Sequence, residues 1–167
     1  LDKIGRLMNL SYPAGPEIEK RAKQGMQTKI TFKSPIMNED TFDFSFSGLK
    51  AEVMRYVQNK KLSENNKNEI CFAVQKAVID VLVKKTLAAA QKYNCPTILL
   101  GGGVSANQTL KENLDKEARN QELEVNILSP EKVYCTDNAA MIGAYALLNS
   151  VEKPWKEVFA NPNLHLQ

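Results

Sequence analysis

The stretch that most constrains the fold is Thr97-Ile98-Leu99-Leu100-Gly101-Gly102-Gly103-Val104-Ser105-Ala106-Asn107. Four residues of buried-strand character run into three glycines, and Leu110, Leu114 and Ala118 then recur at helical spacing to about Asn120. Strand, glycine turn and helix form the geometry that brings backbone N–H groups close to a phosphate. Glycine leaves the backbone open to a ligand and permits φ > 0. Ser105 or Asn107 is placed to cap the helix that follows. The spacing fits neither G-x-G-x-x-G nor G-x-x-x-x-G-K-[ST]. On residues alone the turn therefore reads equally as a phosphate cradle and as a plain βα turn of a parallel sheet.

The flanking sequence alternates strands and helices after residue 40, which argues for an α/β layer architecture. Ile4, Leu7, Met8 and Leu10 predict the end of an amphipathic helix over 1–10, and Pro16 opens a second helix from Glu17 to about Gln24, closed by Gly25. Lys29–Phe32 is expected as a short strand and 34–40 as a polar loop. Phe42, Phe44 and Phe46 alternate with Asp43, Ser45 and Ser47, which predicts a strand with a phenylalanine stripe facing a core. Gly48 leads into a helix carrying Leu49, Val53, Met54 and Val57. The longest helix is expected over Asn65–Tyr93, with Ile70, Val74, Ala77, Val78, Val81 and Leu82 inward and Lys76, Lys84, Lys85 and Lys92 on a solvated face. Leu123–Leu128 reads as a strand, and the small residues of Ala139–Leu148 as a helix packed tightly against a neighbour.

A chain of 167 residues has room for one domain with a real core. Its net charge of +3 is too small to argue for nucleic acid unaided. No apolar run approaches the ~20 residues a spanning helix needs, so no membrane association is expected. Cys71, Cys95 and Cys135 are far apart and form no C-x-x-C pair, the pattern of reduced, buried thiols in a cytoplasmic protein. The chain opens on Leu1-Asp2-Lys3-Ile4 with helical periodicity already present, as expected of the second part of something longer.

Three polar constellations fall at junctions where α/β folds bind ligands: Gly101–Asn107, Thr136-Asp137-Asn138, and Ser45, Ser47 and Gly48. Asp137 is open to two roles, as a helix N-cap or as a carboxylate ligand for a metal or a ligand hydroxyl. His165, the single histidine, sits in an irregular tail and is expected as a surface residue; H-E-x-x-H is absent, and nucleophilic triads have little support.

Four segments occur in one order: Tyr12-Pro13-Ala14-Gly15-Pro16-Glu17-Ile18-Glu19-Lys20, Phe44-Ser45-Phe46-Ser47-Gly48-Leu49-Lys50, Gly102-Gly103-Val104-Ser105-Ala106-Asn107 and Cys135-Thr136-Asp137-Asn138-Ala139-Ala140-Met141-Ile142. In that order the chain resembles the C-terminal half of the TsaD family, the universal tRNA threonylcarbamoyltransferases, once described as O-sialoglycoprotein endopeptidases or glycoproteases. The resemblance implies an α/β fold, the second lobe of the actin-like ATPase (RNase H-like) architecture shared with sugar kinases, Hsp70 and actin, with a three-layer mixed sheet flanked by helices. Residues 1–30 would be a helical segment bordering the ligand cleft and 31–167 the lobe itself, the N-terminal lobe lying outside this chain. The implied reaction moves a threonylcarbamoyl group from threonylcarbamoyl-adenylate to N6 of the adenosine 3′ of the tRNA anticodon.

Carried over by motif, Asp2 would hold the ribose or threonyl side of the ligand, in a family context of Phe-Asp-Lys where this chain has Leu1-Asp2-Lys3. Gly15 would line the ligand at the family's Pro-Gly-Gly turn, whose first glycine is Ala14 here. Gly102 and Gly103 would form the adenylate wall, with Asn107 as its polar contact, and Asp137 would supply one ligand to a divalent metal, Fe²⁺ or Zn²⁺. The remaining metal ligands, the histidines of an H-x-x-x-H helix, belong to the first lobe. Such an ion polarises the carbamoyl carbonyl as a Lewis acid. The chain alone is thus expected to be inactive, to bind metal weakly and to carry no catalytic residue of its own. The implied partners are tRNA, ATP or an adenylate, a paralogous actin-like subunit and a small P-loop ATPase; Lys50, Arg55, Lys60 and Lys61 are candidate phosphate contacts or a solvated helix end. Other readings of the same segments are a non-catalytic assembly lobe, the historical peptidase, and a sugar or acetate kinase.

Overall fold

The structure is a computed structural model that describes residues 1–26, 28–33, 41–149 and 152–160. Its axis is α4, Glu64–Lys92, whose 29 residues extend about 44 Å at ~1.5 Å per residue. The start of α4 is written into Ser63: its Oγ accepts from the Asn66 N–H at 3.1 Å, and Asn66 Oδ1 accepts from the Ser63 N–H at 3.4 Å. This reciprocal pair is a capping box with Asn in the third position.

Different elements cover successive parts of α4, so its buried residues do not keep to one stripe. Along its first half, Ile70, Cys71, Val74 and Ala77 share a core with α1 (Asp2–Leu7), α2 (Ala14–Ala22) and α3 (Ser47–Val57), through Ile4, Ile18, Leu49 and Val53. Along its second half, Ile79, Val83, Leu87 and Ala90 meet Ile98 of β1 (Thr97–Leu99) and Leu110, Leu114 and Ala118 of α5 (Gln108–Asn120). α1 and α2 approach closely because Gly5 lacks a side chain where the Ala14 Cβ lies. The helix α2 starts at Ala14, so Pro16 falls inside its first turn, where no N–H partner is needed.

Arg21 fastens α2 to the start of α4. It pairs with Glu17 at 2.6 Å and Glu64 at 2.8 Å, and reaches Asn68 Oδ1 at 3.2 Å. Lys67 and Arg21 together hold the Glu64 carboxyl below the usual carboxylate range. Gly25, expected as a plain helix stop, is buried where a Cβ would run into the Asn68 backbone of α4.

β1 pairs in parallel with β2 (Asn126–Leu128), Ile98 opposite Ile127, with α5 as the crossover. The ladder continues through Leu100 N–H to Leu128 O at 2.8 Å. The fold is thus mixed α/β, mostly helical, with a small parallel sheet. Only one face of that sheet is covered by described residues: Ile98 is buried, whereas Leu99 is 76% exposed. Parallel strands normally bury both faces.

Several expectations are corrected. Lys29–Phe32 and Phe42–Phe46 are not strands, because no described strand lies beside them to share a ladder. Phe44 and Phe46 are exposed and stack on each other, centroids 6.5 Å apart, instead of forming a core stripe. Lys85 leaves the solvated face: it is 4% exposed, and its Nζ donates to Asp43 O at 2.8 Å, holding the 41–46 segment on α4. Cys95 is exposed, unlike Cys71 and Cys135. The helix α6, Ala139–Leu148, buries none of its residues among the described ones, against the expected tight packing. The 34–40 loop and His165 lie outside the described residues. Among the described residues no helix is long and apolar enough to cross a membrane.

Two outcomes follow from this packing. Gly25→Ala should lower stability by about 1–3 kcal/mol, as overpacking against backbone does, while Gly143→Ala, inside α6 with nothing within 4 Å of its added Cβ, should raise it by about 0.5–1 kcal/mol in urea melts, the helix-propensity gain of Ala over Gly. Burial pushes the Cys71 thiol up to about 12, so the thiolate that reacts with disulfide reagents is scarce at neutral pH. Native protein should therefore titrate one thiol quickly, and Cys95→Ser should abolish that fast phase; a surviving fast phase would contradict the assignment.

Candidate functional site

Residues from four separate segments line one open cleft of about 410 Å³: Asp2, Gly15 and Glu19 on one side, Gly103 and Asn107 on another, with Lys132 and Thr136 completing it. Four of the five residues singled out for ligand binding from the sequence, Asp2, Gly15, Gly103 and Asn107, are thereby brought together.

Asp2 stands at the first turn of α1 and its Oδ1 accepts from the Ala14 N–H at 2.8 Å. One carboxylate oxygen therefore fastens the entry of α2, and the other is left for the cleft. Gly15 follows directly; the nearest atom to a Cβ built there is Leu1 Cδ1 at 4.0 Å, so the missing side chain leaves open room. Gly103 is alike, its nearest neighbour being Thr136 Cγ2 at 3.8 Å across the cleft.

Gly102 does not line the cleft but shapes it. Its φ of 82° and ψ of 172° lie in a region essentially reserved for glycine. Its carbonyl accepts from the Ser105 N–H at 3.0 Å and from Ser105 Oγ at 2.6 Å, which fixes a short 3₁₀ turn over Gly103–Ala106. Ser105 thus holds the glycine turn, and Asn107 is the cap of α5, its Oδ1 accepting from the Leu110 N–H at 3.1 Å.

This arrangement changes the expected anion site. The Gln108 N–H, first in α5, already donates to Glu19 Oε1 at 3.2 Å, and the Leu110 N–H is taken by Asn107. With a carboxylate seated there, the start of α5 is a poor rest for a second anion. Lys132 is the cation among the residues that line the cleft, which also include the acids Asp2 and Glu19. The sequence singled out neither Glu19, which appears there only within the Tyr12–Lys20 segment, nor Lys132 as a site residue. No spacing rule pointed to either, since both act across elements far apart in sequence.

The Thr136-Asp137-Asn138 cluster divides its tasks. Asn138 caps α6, accepting from the Met141 N–H at 3.0 Å and donating to Thr136 O at 2.8 Å. Asp137 therefore has no capping role; it is exposed, outside the cleft lining, and unpaired among the described residues. No group of three or more His, Cys, Asp or Glu side chains arranged to hold a metal occurs among the described residues. The third constellation lies elsewhere: Ser47 lines a larger apolar groove of about 810 Å³ between α1, α3 and α4, which shares Leu1, Asp2 and Val104 with the cleft.

Comparison with known proteins now bears on this geometry. The sequence profile of the family described as TsaD, tRNA N6-adenosine threonylcarbamoyltransferase, matches residues 1–144. A protein of that name from Clostridium beijerinckii is 41% identical over 169 residues, covering 99% of this chain and 49% of the relative. One from Thermosipho africanus is 41% identical over 167 residues, covering 99% and 50%. One from Listeria monocytogenes is 39% identical over 170 residues, covering 99% and 49%. The chain thus spans about half the length of the curated relatives it matches. Over that half it belongs to the TsaD family of tRNA N6-adenosine threonylcarbamoyltransferases.

Proposed function

We propose that this chain is the C-terminal half of an enzyme that transfers a threonylcarbamoyl group from threonylcarbamoyl-adenylate to N6 of the adenosine 3′ of a tRNA anticodon. The observation that carries the proposal is the convergence of Asp2, Gly15, Gly103 and Asn107 on one cleft from distant parts of the chain. Its walls suit an adenylate. Glycine positions at 15 and 103 let a flat base or sugar approach the backbone. The free oxygen of Asp2 is an acceptor for a hydroxyl, and Lys132 is a counter-charge for a phosphate. This half binds and orients; the transfer chemistry belongs to the completed site.

A carboxylate without an internal partner suits one position of a mixed His/Asp metal site, and Asp137 has that character. One donor does not make a site, so this half does not fit a resident Fe²⁺ or Zn²⁺ unaided. The other ligands would come from the first half. The open face of β1 and β2 and the uncovered apolar side chains of α6, such as Ile142 and Leu148, support a lobe that works against further protein. The finer architecture that goes with this reading is the second lobe of the actin-like ATPase fold, in the cytoplasm, with a paralogous subunit and a small P-loop ATPase as partners. The exposed cations of α3, Lys50 and Arg55, would meet the tRNA backbone.

An assay of threonylcarbamoyl incorporation into unmodified tRNA tests the proposal. The chain alone should give no product. Supplied with the H-x-x-x-H-bearing first half of a relative, it should give product, and Asp137→Ala and Asn107→Ala should each lower the rate at least about tenfold, as loss of a ligand or a charged-state hydrogen bond does. Unchanged rates in both variants would sink it.

A further inference from the structure

Gln75 is an anomaly in the core. It is 8% exposed on α4, with the apolar Cys71, Val74 and Ile79 of the same helix also buried. A buried amide is costly unless it is hydrogen-bonded, and an apolar side chain of the same length would fill the space at no such cost. Its partner explains its presence: Gln75 Oε1 accepts from Asn107 Nδ2 at 3.0 Å.

The direction of that bond is dictated by the backbone. The Leu110 N–H can only donate, so the Asn107 atom facing it at 3.1 Å is the oxygen. The nitrogen of Asn107 then faces Gln75, which must present its own oxygen. The Gln75 nitrogen is left to donate to Thr109 Oγ1, at 3.5 Å. Cap, amide and amide form a chain with one polarity. Of the two Nδ2 protons of Asn107, one is taken by Gln75, and the other has no protein partner among the described residues while Asn107 lines the cleft.

We infer that Gln75 is a positioning residue: it locks the Asn107 amide so that a single N–H donor is presented to the cleft. This rests on the reading of the cleft as an adenylate site. Without Gln75, the cap alone would leave the Asn107 amide nitrogen without its fixed partner, and the donor would be less well directed. Preorganisation of this kind raises affinity by removing the cost of ordering the group on binding.

The test uses the full chain, labelled with ¹⁵N, and AMP as the probe. In the unliganded wild type, the Asn107 side-chain amide should give two resolved N–H signals, one of them slow to exchange with water. AMP should shift the faster-exchanging one. Gln75→Met should weaken AMP binding about fivefold with the melting midpoint close to wild type, and should add nothing to Asn107→Ala in the double variant. Gln75→Glu retains the acceptor, and Thr109 can donate to its second oxygen, so it should restore most of the affinity. If Asn107→Ala weakens AMP binding while Gln75→Met does not, the positioning role fails and the adenylate reading stands. If wild type does not bind millimolar AMP, or if Asn107→Ala binds it as wild type does, the adenylate reading fails and the inference with it. Should Gln75→Met not fold, equal and rapid exchange of both Asn107 amide protons in wild type would overturn the inference by itself.

Discussion

The burial of α4 along nearly its whole length holds the two sides of the cleft in fixed relation. Its first half is gripped by α1, α2 and α3, and its second half by α5 and β1. Asp2 and Gly15 ride on the first group, while Gly103 and Asn107 ride at the entry to the second. Because packed interiors do not deform continuously, a shared helix transmits position between the two groups. Two polar links close the frame at the cleft itself. Glu19 of α2 reaches the first N–H of α5 at 3.2 Å, and Gln75 of α4 reaches Asn107 at 3.0 Å.

These links also set the electrostatics. Glycine-rich turns ahead of helices invite the inference that an anion rests on the helix N-terminus. Here the protein has occupied that position with its own carboxylate, Glu19, and has capped the next free donor with Asn107. What the cleft offers an incoming ligand is a lysine, a carboxylate oxygen of Asp2, one amide donor and the bare backbone around Gly103. That set is better matched to a sugar hydroxyl and an adenine or acyl edge near the glycines, with phosphate towards Lys132, than to a phosphate seated on α5.

Much of this was legible in the sequence, for reasons tied to particular residues. The long α4, the β1 strand and α5 declared themselves through periodicity strong enough to survive without context. Asn107 was one of two caps foreseen, and the structure selects it over Ser105, which instead bonds back to Gly102. The phenylalanine alternation misled because period-2 patterning states only that alternate residues could face one side. It does not supply the neighbouring strand that would bury them. Lys85 misled in the opposite sense: composition assigns lysines to water, but the Asp43 carbonyl lying beside α4 gives this one an interior partner. Gln75 was silent because a single polar residue in an apolar run carries no spacing signal. Its one trace is the interruption itself, and that acquires meaning only once Asn107, distant in the chain, is found opposite.

The adjacent pair Asp137 and Asn138 shows how the same economy extends to the far side of the site. Asp and Asn are near equals as N-caps, so either could have started α6. The cap falls to Asn138, which also donates through its amide nitrogen to Thr136 O at 2.8 Å, a bond that a carboxylate could not make. This second bond ties the cap back to the wall of the cleft that Thr136 lines. Asp137 is consequently spared from internal bonding and stands exposed at the positive end of a ten-residue helix. On the function proposed above, an acid so situated is left available to a cation brought from outside the chain. A cap at residue 137 would have consumed that carboxylate in holding the helix, and this chain would then have no free donor there for the metal that the proposed function calls for.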